Sequence, residues 1–533
     1  MLEQWIKGGS STVGLVLMAT GAPAAAGRGD VAAAASEPQA VAIQMNVSHT
    51  GVTSTKAPFK FPLAEYWRRD FAGSVSYPLI ANGRVFVTVA DPSSYGSTLF
   101  ALDVETGKGL WKSSIEGTNY WAAAAYDAGR VYVINVDGLL KAFDASTGFL
   151  EWSVQVPAEY FVTSPPVAQG GLVYIEGYGS HSLTAYDEAS GALLWSQEIP
   201  AGLGAPTIGA GAIFGSSPCQ AFALNAITGK PRWNFNGGCV GGGGVAPVYS
   251  NGKLYVTDLF GSGNQILNAH TGAVVGPFDA AAGQPVVGGE QAYYVTSEGL
   301  QAQSIQTGES IWSFVGDGGI SLLPIKVNET VFVGSSSGQL WGLEGVTGKE
   351  QWSTNVGDPI VANVCCASPS AGLAEADGFL VVPASSSLVA YHTSLASTKG
   401  TVIANLQQGT APPVDVPFNP KDPTSYNDST STMVCDLRGD SYPLTFYFAN
   451  TATSGVWDVY ATINDVVVSA NPTTTTLTFA SAGKLKEPKN GNLTFAYAPP
   501  NGAARLAVTF NFSATTSYNA AFGVTSITEN GCK

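Results

Sequence analysis

Few side chains in this 533-residue chain are placed to do unusual chemistry. Two cysteines stand side by side, Cys365-Cys366, in the run VCCASPSAGLAEADGFLVV. Adjacent Cα atoms lie about 3.8 Å apart, below the usual disulfide range of roughly 4.4–6.8 Å, so a bond between them would be strained. Strain of that kind collects at functional sites. The other four cysteines fall into two plausible couples, Cys219 with Cys239 and Cys435 with Cys532, and an even count suits an oxidising compartment. The histidines, His49, His181, His270 and His392, are too few and too scattered for a histidine-built metal site, which argues against a zinc enzyme. No phosphate loop, EF-hand or Ser/His/Asp signature occurs.

The elements that must carry these residues come from a repeat. ALDVETGKGLW ends at Trp111, AFDASTGFLEW at Trp152, AYDEASGALLW at Trp195 and ALNAITGKPRW at Trp233. The frame returns as AQSIQTGESIW at Trp312 and GLEGVTGKEQW at Trp352, and between them ILNAHTGAVVG puts Gly276 at the Trp position. Anchor spacings of 41, 43, 38, 43, 36 and 40 residues give a period near forty, that of four-stranded propeller blades. Within each unit apolar residues alternate with a period of two, as in GRVYVINV, and turn residues recur every eight to twelve positions. The acid of each turn (Asp103, Asp144, Asp187, Glu344) is placed to bond its own backbone, and the Gly that follows suits a positive φ. These acids are read as structural. The Trp is read as a wedge between blades. An eighth unit, near 373–392, stops without its Trp strand, while LAEYWRRDF with Trp67 precedes the first full repeat. Eight blades are expected, closed by Trp67 joining the last sheet, because closure removes exposed edges.

Composition narrows the partners. With 24 basic against 39 acidic residues the net charge is −15, which repels nucleic acid and anionic lipid. Charged residues make up only 12%, about half the usual share, while hydrophobic residues reach 45%, so a large core is available. After the first thirty positions no apolar run approaches the length of a membrane-spanning helix. Lys7, the apolar run Val13 to Ala19 and Ala24-Ala25-Ala26 follow the order of a secretory signal over 1–26, with 27–62 read as a flexible linker.

The A-x-D-x-x-T-G-x-x-x-W frame, over residues 63–398, resembles that of the quinoprotein-like eight-bladed propellers. Residues 399–533 are different: rich in Thr, Ser, Asn and Pro, with strand-like runs STSTMVCD, YPLTFYF, VWDVYATI, TLTFAS, NLTFAY and LAVTFNF. Through FNPKDPTSYNDSTS, Asp436 with Gly439, Trp457, TLTFASAGKL and YNAAFGVTSITENG, this part resembles the outer β-domain of flagellar hook proteins. No heptads flank it, so it reads as a borrowed surface domain of barrel or sandwich type and not as a polymerising hook subunit. The fold expected is all-β. The first resemblance implies either of two functions. One is a secreted or periplasmic binding or assembly scaffold, with protein or carbohydrate at the propeller face. The runner-up is a dehydrogenase of alcohols or sugars using pyrroloquinoline quinone (PQQ) and Ca²⁺, in which Cys365 and Cys366 would cover the quinone. In those dehydrogenases the cysteine pair lies early in the ring, whereas here it falls in the last blade. The scaffold is the preferred reading.

Overall fold

The structure, a computed structural model, describes residues 39–55, 59–157, 162–177, 179–200, 204–217, 220–238, 245–257, 264–277, 284–360, 371–393, 396–437, 439–468, 470–471, 476–500 and 505–531. Eight antiparallel four-stranded units succeed one another along the chain. Blade 1 runs from its innermost strand Leu79–Ala81 to its outermost Gly109–Ile115, blade 2 from Ala122–Asp127 to Leu150–Gln155, and blade 3 from Val167–Gln169 to Leu193–Glu198. Blade 4 spans Thr207–Gly209 to Pro231–Asn236, blade 5 Val248–Ser250 to Val274–Pro277, blade 6 Val286–Gly288 to Ser310–Phe314, and blade 7 Ile325–Val327 to Glu350–Asn355. Blade 8 takes three strands from Ala374–Ala376 to Ser387–Thr393 and its outermost strand from the start of the chain. There Leu63–Asp70 pairs antiparallel with Ser387–Thr393, Trp67 opposite Ala390 and Arg68 opposite Val389. The expected closure is therefore present.

The first two strands of each blade are joined by a two-residue hairpin. In six of them both residues have positive φ, as in Asn82-Gly83 and Ala128-Gly129, the geometry that matches strand twist. The Asp and Asn of the signature sit where the notation of the repeat puts them, in the turn before the outermost strand. Asp103 Oδ1 accepts from Thr106 N and Oγ1, and Asp187 Oδ1 from Ser190 N and Oγ. Glu344 accepts from the Thr347 hydroxyl. At Asp144 the Ser146 and Thr147 hydroxyls and amides hold the carboxylate down to about 2. These acids are turn residues, as their sequence context implies.

Each outermost strand carries a β-bulge just before its Trp position. The bulge sets the indole opposite a small residue: Trp111 faces Ala101, Trp152 Ala142, Trp195 Ala185, Trp233 Ala223, Trp312 Ala302 and Trp352 Gly342. The ring then reaches into the next blade and lies on its turn glycine. A Cβ added to Gly107, Gly148, Gly191, Gly229, Gly272 or Gly348 would stand 2.5–2.7 Å from the indole of the preceding blade. Most of these indoles also donate to a carbonyl of that next blade, Trp67 to Val104 at 2.7 Å and Trp312 to Gly345 at 2.9 Å. At the seam of blades 3 and 4 the Tyr174 hydroxyl takes the Ala226 carbonyl, and Trp195 Nε1 is buried without a partner.

Blade 5 inverts the pair. Gly276 replaces Trp, and the residue opposite it is Ile266 in place of Ala. Bulk lost on one strand is partly restored on the other, while Gly308 of blade 6 has no described atom within 4 Å of where a Cβ would sit. The repeat is thus not simply degraded here; it is repacked.

The C-terminal part is a two-layer sandwich. One sheet holds Asp428–Cys435, Ser441–Asn450, Val456–Ile463, Thr476–Phe479 and Leu485–Glu487, the other Asn492–Tyr497, Leu506–Asn511, Lys399–Asn405 and Gly523–Glu529 with Ala470–Asn471 at its edge. Phe446 from the first layer meets Phe495, Phe510 and Phe512 of the second edge-on, ring centroids 5.0–5.5 Å apart. Sequence reading found six of these strands. It missed Lys399–Asn405 and Gly523–Glu529, the first and last, which pair with each other.

Gly276→Trp alone should crowd Ile266 and lower the urea midpoint. Adding Ile266→Ala should recover it, with a coupling of about 1–3 kcal/mol in a double-mutant cycle. Additive effects would mean that the two positions do not share the seam.

Candidate functional site

A propeller leaves the inner edge of eight short strands facing its axis, and unpaired edge amides there must find acceptors. Seven register-equivalent amides find them in one segment, residues 39–53. Ile80 N of blade 1 donates to Ala40 O at 2.8 Å and Tyr126 N of blade 2 to Val41 O at 2.8 Å. Ile208 N of blade 4 donates to Val47 O at 2.8 Å, Tyr249 N of blade 5 to Ser48 O at 3.1 Å and Val287 N of blade 6 to Thr50 O at 3.0 Å. Lys326 N of blade 7 reaches Gly51 O at 2.8 Å, and Glu375 N of blade 8 meets Met45 Sδ at 3.4 Å. Val47 packs on the apolar cluster that blades 3 and 4 share. The segment ends as a short parallel strand, Val52–Thr53, on Lys326–Val327. It is a strap wound inside the ring along the innermost strands.

The 27–62 stretch is therefore not a flexible linker where it is described. Ala40, Ala42, Met45 and His49 are buried within the ring. Asn46 braces the strap from within, its Oδ1 accepting from Ser48 N and Thr50 N and its Nδ2 donating to Thr50 Oγ1 and Val52 O. At its centre His49 has Nδ1 2.9 Å from Ile43 O and Nε2 3.0 Å from Pro206 O. Burial lowers its pKa against both contacts. Neutral imidazole carries one N–H, so only one of the two carbonyls can be served.

Three further carboxyls are buried off this strap. Glu176, on the second strand of blade 3, lies on the same sheet face as Tyr174, whose hydroxyl reaches blade 4. It is 1% exposed, neither oxygen has a hydrogen-bond partner, and burial raises it well above the usual carboxylate range. Glu375, fully buried, accepts from Gly378 N at 3.1 Å through one oxygen, the other being orphaned, and burial pushes it up to about 8. Glu188 is raised to about 8 by burial and then by the adjacent Asp127 charge. Sequence reading missed all three. The signal was there for Glu176: aligned on the repeat it stands where blades 1 and 4 have Thr88 and Ser216, and those hydroxyls donate to Ala122 O and Val245 O of the next blade.

The two candidate residues named from sequence, Cys365 and Cys366, lie outside the described residues, as do Cys219, Cys239 and Cys532. On the face opposite the signature turns, side chains clip loops to strands: Ser335 Oγ donates to Asp317 at 2.7 Å, Ser387 Oγ lies 2.8 Å from both Asp358 and Asp70 with one proton to give to either, and Arg68 donates to Val356 O at 2.6 Å.

Residues 95–237 and 220–391 match the family model described as outer membrane protein assembly factor BamB, together more than half of the chain. The chain belongs to the PQQ-repeat propeller family. Residues 405–532 match the model described as flagellar basal body protein FlaE D2 domain. Among curated proteins, quinohemoprotein alcohol dehydrogenase ADH-IIG of Pseudomonas putida is 31% identical over 122 residues, 20% of this chain and 16% of that protein. The dehydrogenase subunit of alcohol dehydrogenase (quinone) of Gluconobacter oxydans is 34% identical over 141 residues, 23% of this chain and 18% of that protein. The chain thus spans about a fifth of the length of these relatives. Among solved structures, a europium-containing methanol dehydrogenase superposes with TM-score 0.53 at 14% identity, covering 65% of this chain and 89% of that one. The likeness is one of fold.

Some members of the PQQ-repeat family are quinone dehydrogenases, so the fit of a quinone with Ca²⁺ can be tested on the residues present. Such a cation needs several oxygens converging on one point. Glu176 offers one orphaned carboxyl, but among the described residues no three His, Cys, Asp or Glu side chains gather as metal ligands. The described residues do not assemble that donor set.

The buried carboxyls make stability depend on pH. Glu375 and Glu188, raised to about 8, keep their protons in the folded chain over a range where the unfolded chain has lost them, so folding takes up protons and stability falls as pH rises from about 4.5 towards 8; Glu176 acts in the same direction. His49 acts oppositely, since the unfolded chain binds its proton below about 6.5. Glu375→Gln should therefore flatten the fall in urea midpoint between pH 5.5 and 8. An unchanged slope would show Glu375 ionised in the folded chain.

Proposed function

We propose that this PQQ-repeat propeller is a binding or assembly scaffold that works outside the cytoplasm, presenting its loop face to a protein or carbohydrate and carrying the hook-like sandwich as a second docking module. The observation that carries this reading is the strap: seven blades are tied together at their innermost strands by one segment of the chain itself, residues 39–53, which makes the ring a braced frame on which loops can be displayed. Two loops of the opposite face are clipped to their strands at Asp317 and Asp358, and loops held on a scaffold in this way are the kind of surface on which recognition residues are displayed. Cys435 supports the compartment, since it is buried and disulfide-bonded, and its partner lies outside the described residues.

The second reading, a quinone-dependent dehydrogenase, is favoured by one observation of the chain itself, the orphaned buried carboxylate of Glu176, and by the names of the curated relatives. Addition of PQQ and Ca²⁺ to the purified chain separates the two. The scaffold reading expects no cofactor absorbance change and no shift in melting temperature at saturating cofactor. A clear rise, which a ligand specific for the folded state must produce, together with dye reduction by alcohols, would overturn it. For the compartment, non-reducing mass mapping should find Cys435 joined to Cys532. A free thiol at Cys435 in protein prepared from its native location would count against secretion.

A further inference from the structure

Every sheet in this molecule ends in strands with a free side, and among the described residues all but one of those strands are guarded against pairing with another chain. Seven innermost blade strands are met by the strap, and the eighth, Val167–Gln169, has three residues. Every outermost blade strand is bulged. In the sandwich, Leu485–Glu487 has three residues and Ala470–Asn471 two, and Gly523–Glu529 is bulged at Thr525, which faces no residue of Lys399–Asn405. Shortness, bulges and cover are the devices that keep sheet edges from joining other sheets. Asp428–Cys435 has none of them. It is eight residues long, edges its sheet, runs in unbroken register with Ser441–Asn450, and contains no Pro, Lys or Arg and one charge, at its first residue.

Two contacts fix which of its groups point outward. Asp436 N donates to Asp440 O at 3.0 Å, across the hairpin that leads into Ser441–Asn450. Cys435 turns the other way: its N–H donates to Ser397 Oγ at 2.9 Å and its carbonyl accepts from Ser397 N at 2.8 Å. Backbone direction alternates along an antiparallel strand, so Ser429, Ser431 and Met433 also turn N–H and C=O outward. Among the described residues nothing bonds these groups on that side. Their side chains share the solvent face of the sheet, with Met433 44% exposed. The chain has thus begun a further ladder here, Ser397 taking the Cys435 rung, and has left three rungs open.

We propose that this open edge pairs antiparallel with the same edge of a second copy of the chain, about a two-fold axis through Ser431. A two-fold contact must be its own complement, and this edge is. Outward groups have to meet outward groups, and centring on Ser431 is the register that engages all three open rungs: Ser431 against Ser431, and Ser429 against Met433 of the other copy, each rung exchanging two hydrogen bonds. Thr430 then faces Thr432 and Asp428 faces Val434, so no charge stands opposite a like charge, and the cross-strand pairs are of a favourable kind. Each long Met433 side chain lies over the small Ser429 of the other copy. The product is one sheet running through two sandwiches, with a propeller on each, and a scaffold joined in this way presents two loop faces whose binding is mutually reinforced. The inference goes beyond the scaffold reading and does not depend on it, since pairing of the copies is measured without any partner of the loop face.

Sedimentation of the full chain across the micromolar range should show a dimer filling by mass action. Hydrogen exchange at the amides of Ser429, Ser431 and Met433 should slow as it fills. Ser431→Lys sets like charges face to face on the axis and should raise the dimer dissociation constant about tenfold or more, without moving the urea midpoint of the dilute chain. Ser431→Glu should do the same, and an equimolar mixture of the two variants should recover the dimer, because only a residue that meets its own counterpart is complemented in this way. A chain that stays monomeric across that range, or a dimer that neither variant weakens, overturns the proposal. So does a dimer weakened by both variants and not restored in the mixture, which would place some other residue across from Ser431. Should either variant not fold, the concentration dependence of exchange at the three amides of the unmodified chain decides alone.

Discussion

Seating an indole on a glycine sets the terms for the rest of this fold. The outermost strand of one blade sends a tryptophan across the seam, and the next blade receives it on a turn residue that has no side chain to offer. Both halves of the contact are demanding: the donor blade needs a bulge and a small residue opposite, and the receiving blade needs a backbone with positive φ. The T-G-x-x-x-W spacing is that pair of demands written once per blade, since the turn that receives one indole also launches the strand that carries the next. The ring is therefore a chain of mutual dependencies. Its closing link, Trp67 in the sheet of Ser387–Thr393, is made by residues more than three hundred positions apart.

That dependency explains what could be read in advance. Blade number, turn acids, the glycines and the closing strand all follow from side-chain or φ requirements that repeat, so they left a pattern. The exchange of Gly276 with Ile266 was also written in the chain, but only the strand register shows that the two face each other and that one compensates the other. The strap left no such trace. Its binding uses carbonyls, which every residue has, so AVAIQMNVSHTGVT carries no periodicity and its composition resembles a tail. Six strands of the sandwich were legible from their alternation. Lys399–Asn405 and Gly523–Glu529 were missed because they lie at the margins of the module, where KGTVIAN and GVTSITE mix small and polar residues.

The candidate site divides in the same way. Cys365-Cys366 drew attention because its chemistry is local to two adjacent letters. Glu176 and Glu375 did not, because a carboxyl becomes unusual only through what surrounds it, and what surrounds these two is assembled from neighbouring blades. A glutamate on a strand exposed to water is unremarkable; the same residue sealed away from water has its pKa pushed above the usual carboxylate range. Together with a half-served His49, they put buried polar groups with unmet hydrogen bonds at the inner strands and in the seams of this propeller.

Closure of the ring by an antiparallel pair has a mechanical side. Leu63 lies opposite Thr393, so the outermost strand of blade 8 begins and its neighbour ends at the same end of one ladder. Tension applied between the segments before Leu63 and after Thr393 would load that ladder one rung at a time, as a zipper is loaded, and not across all its rungs at once. A pull transmitted through the C-terminal sandwich would therefore find its weakest joint where the circle was fastened, and the first blade to part would be the one built from both ends of the chain.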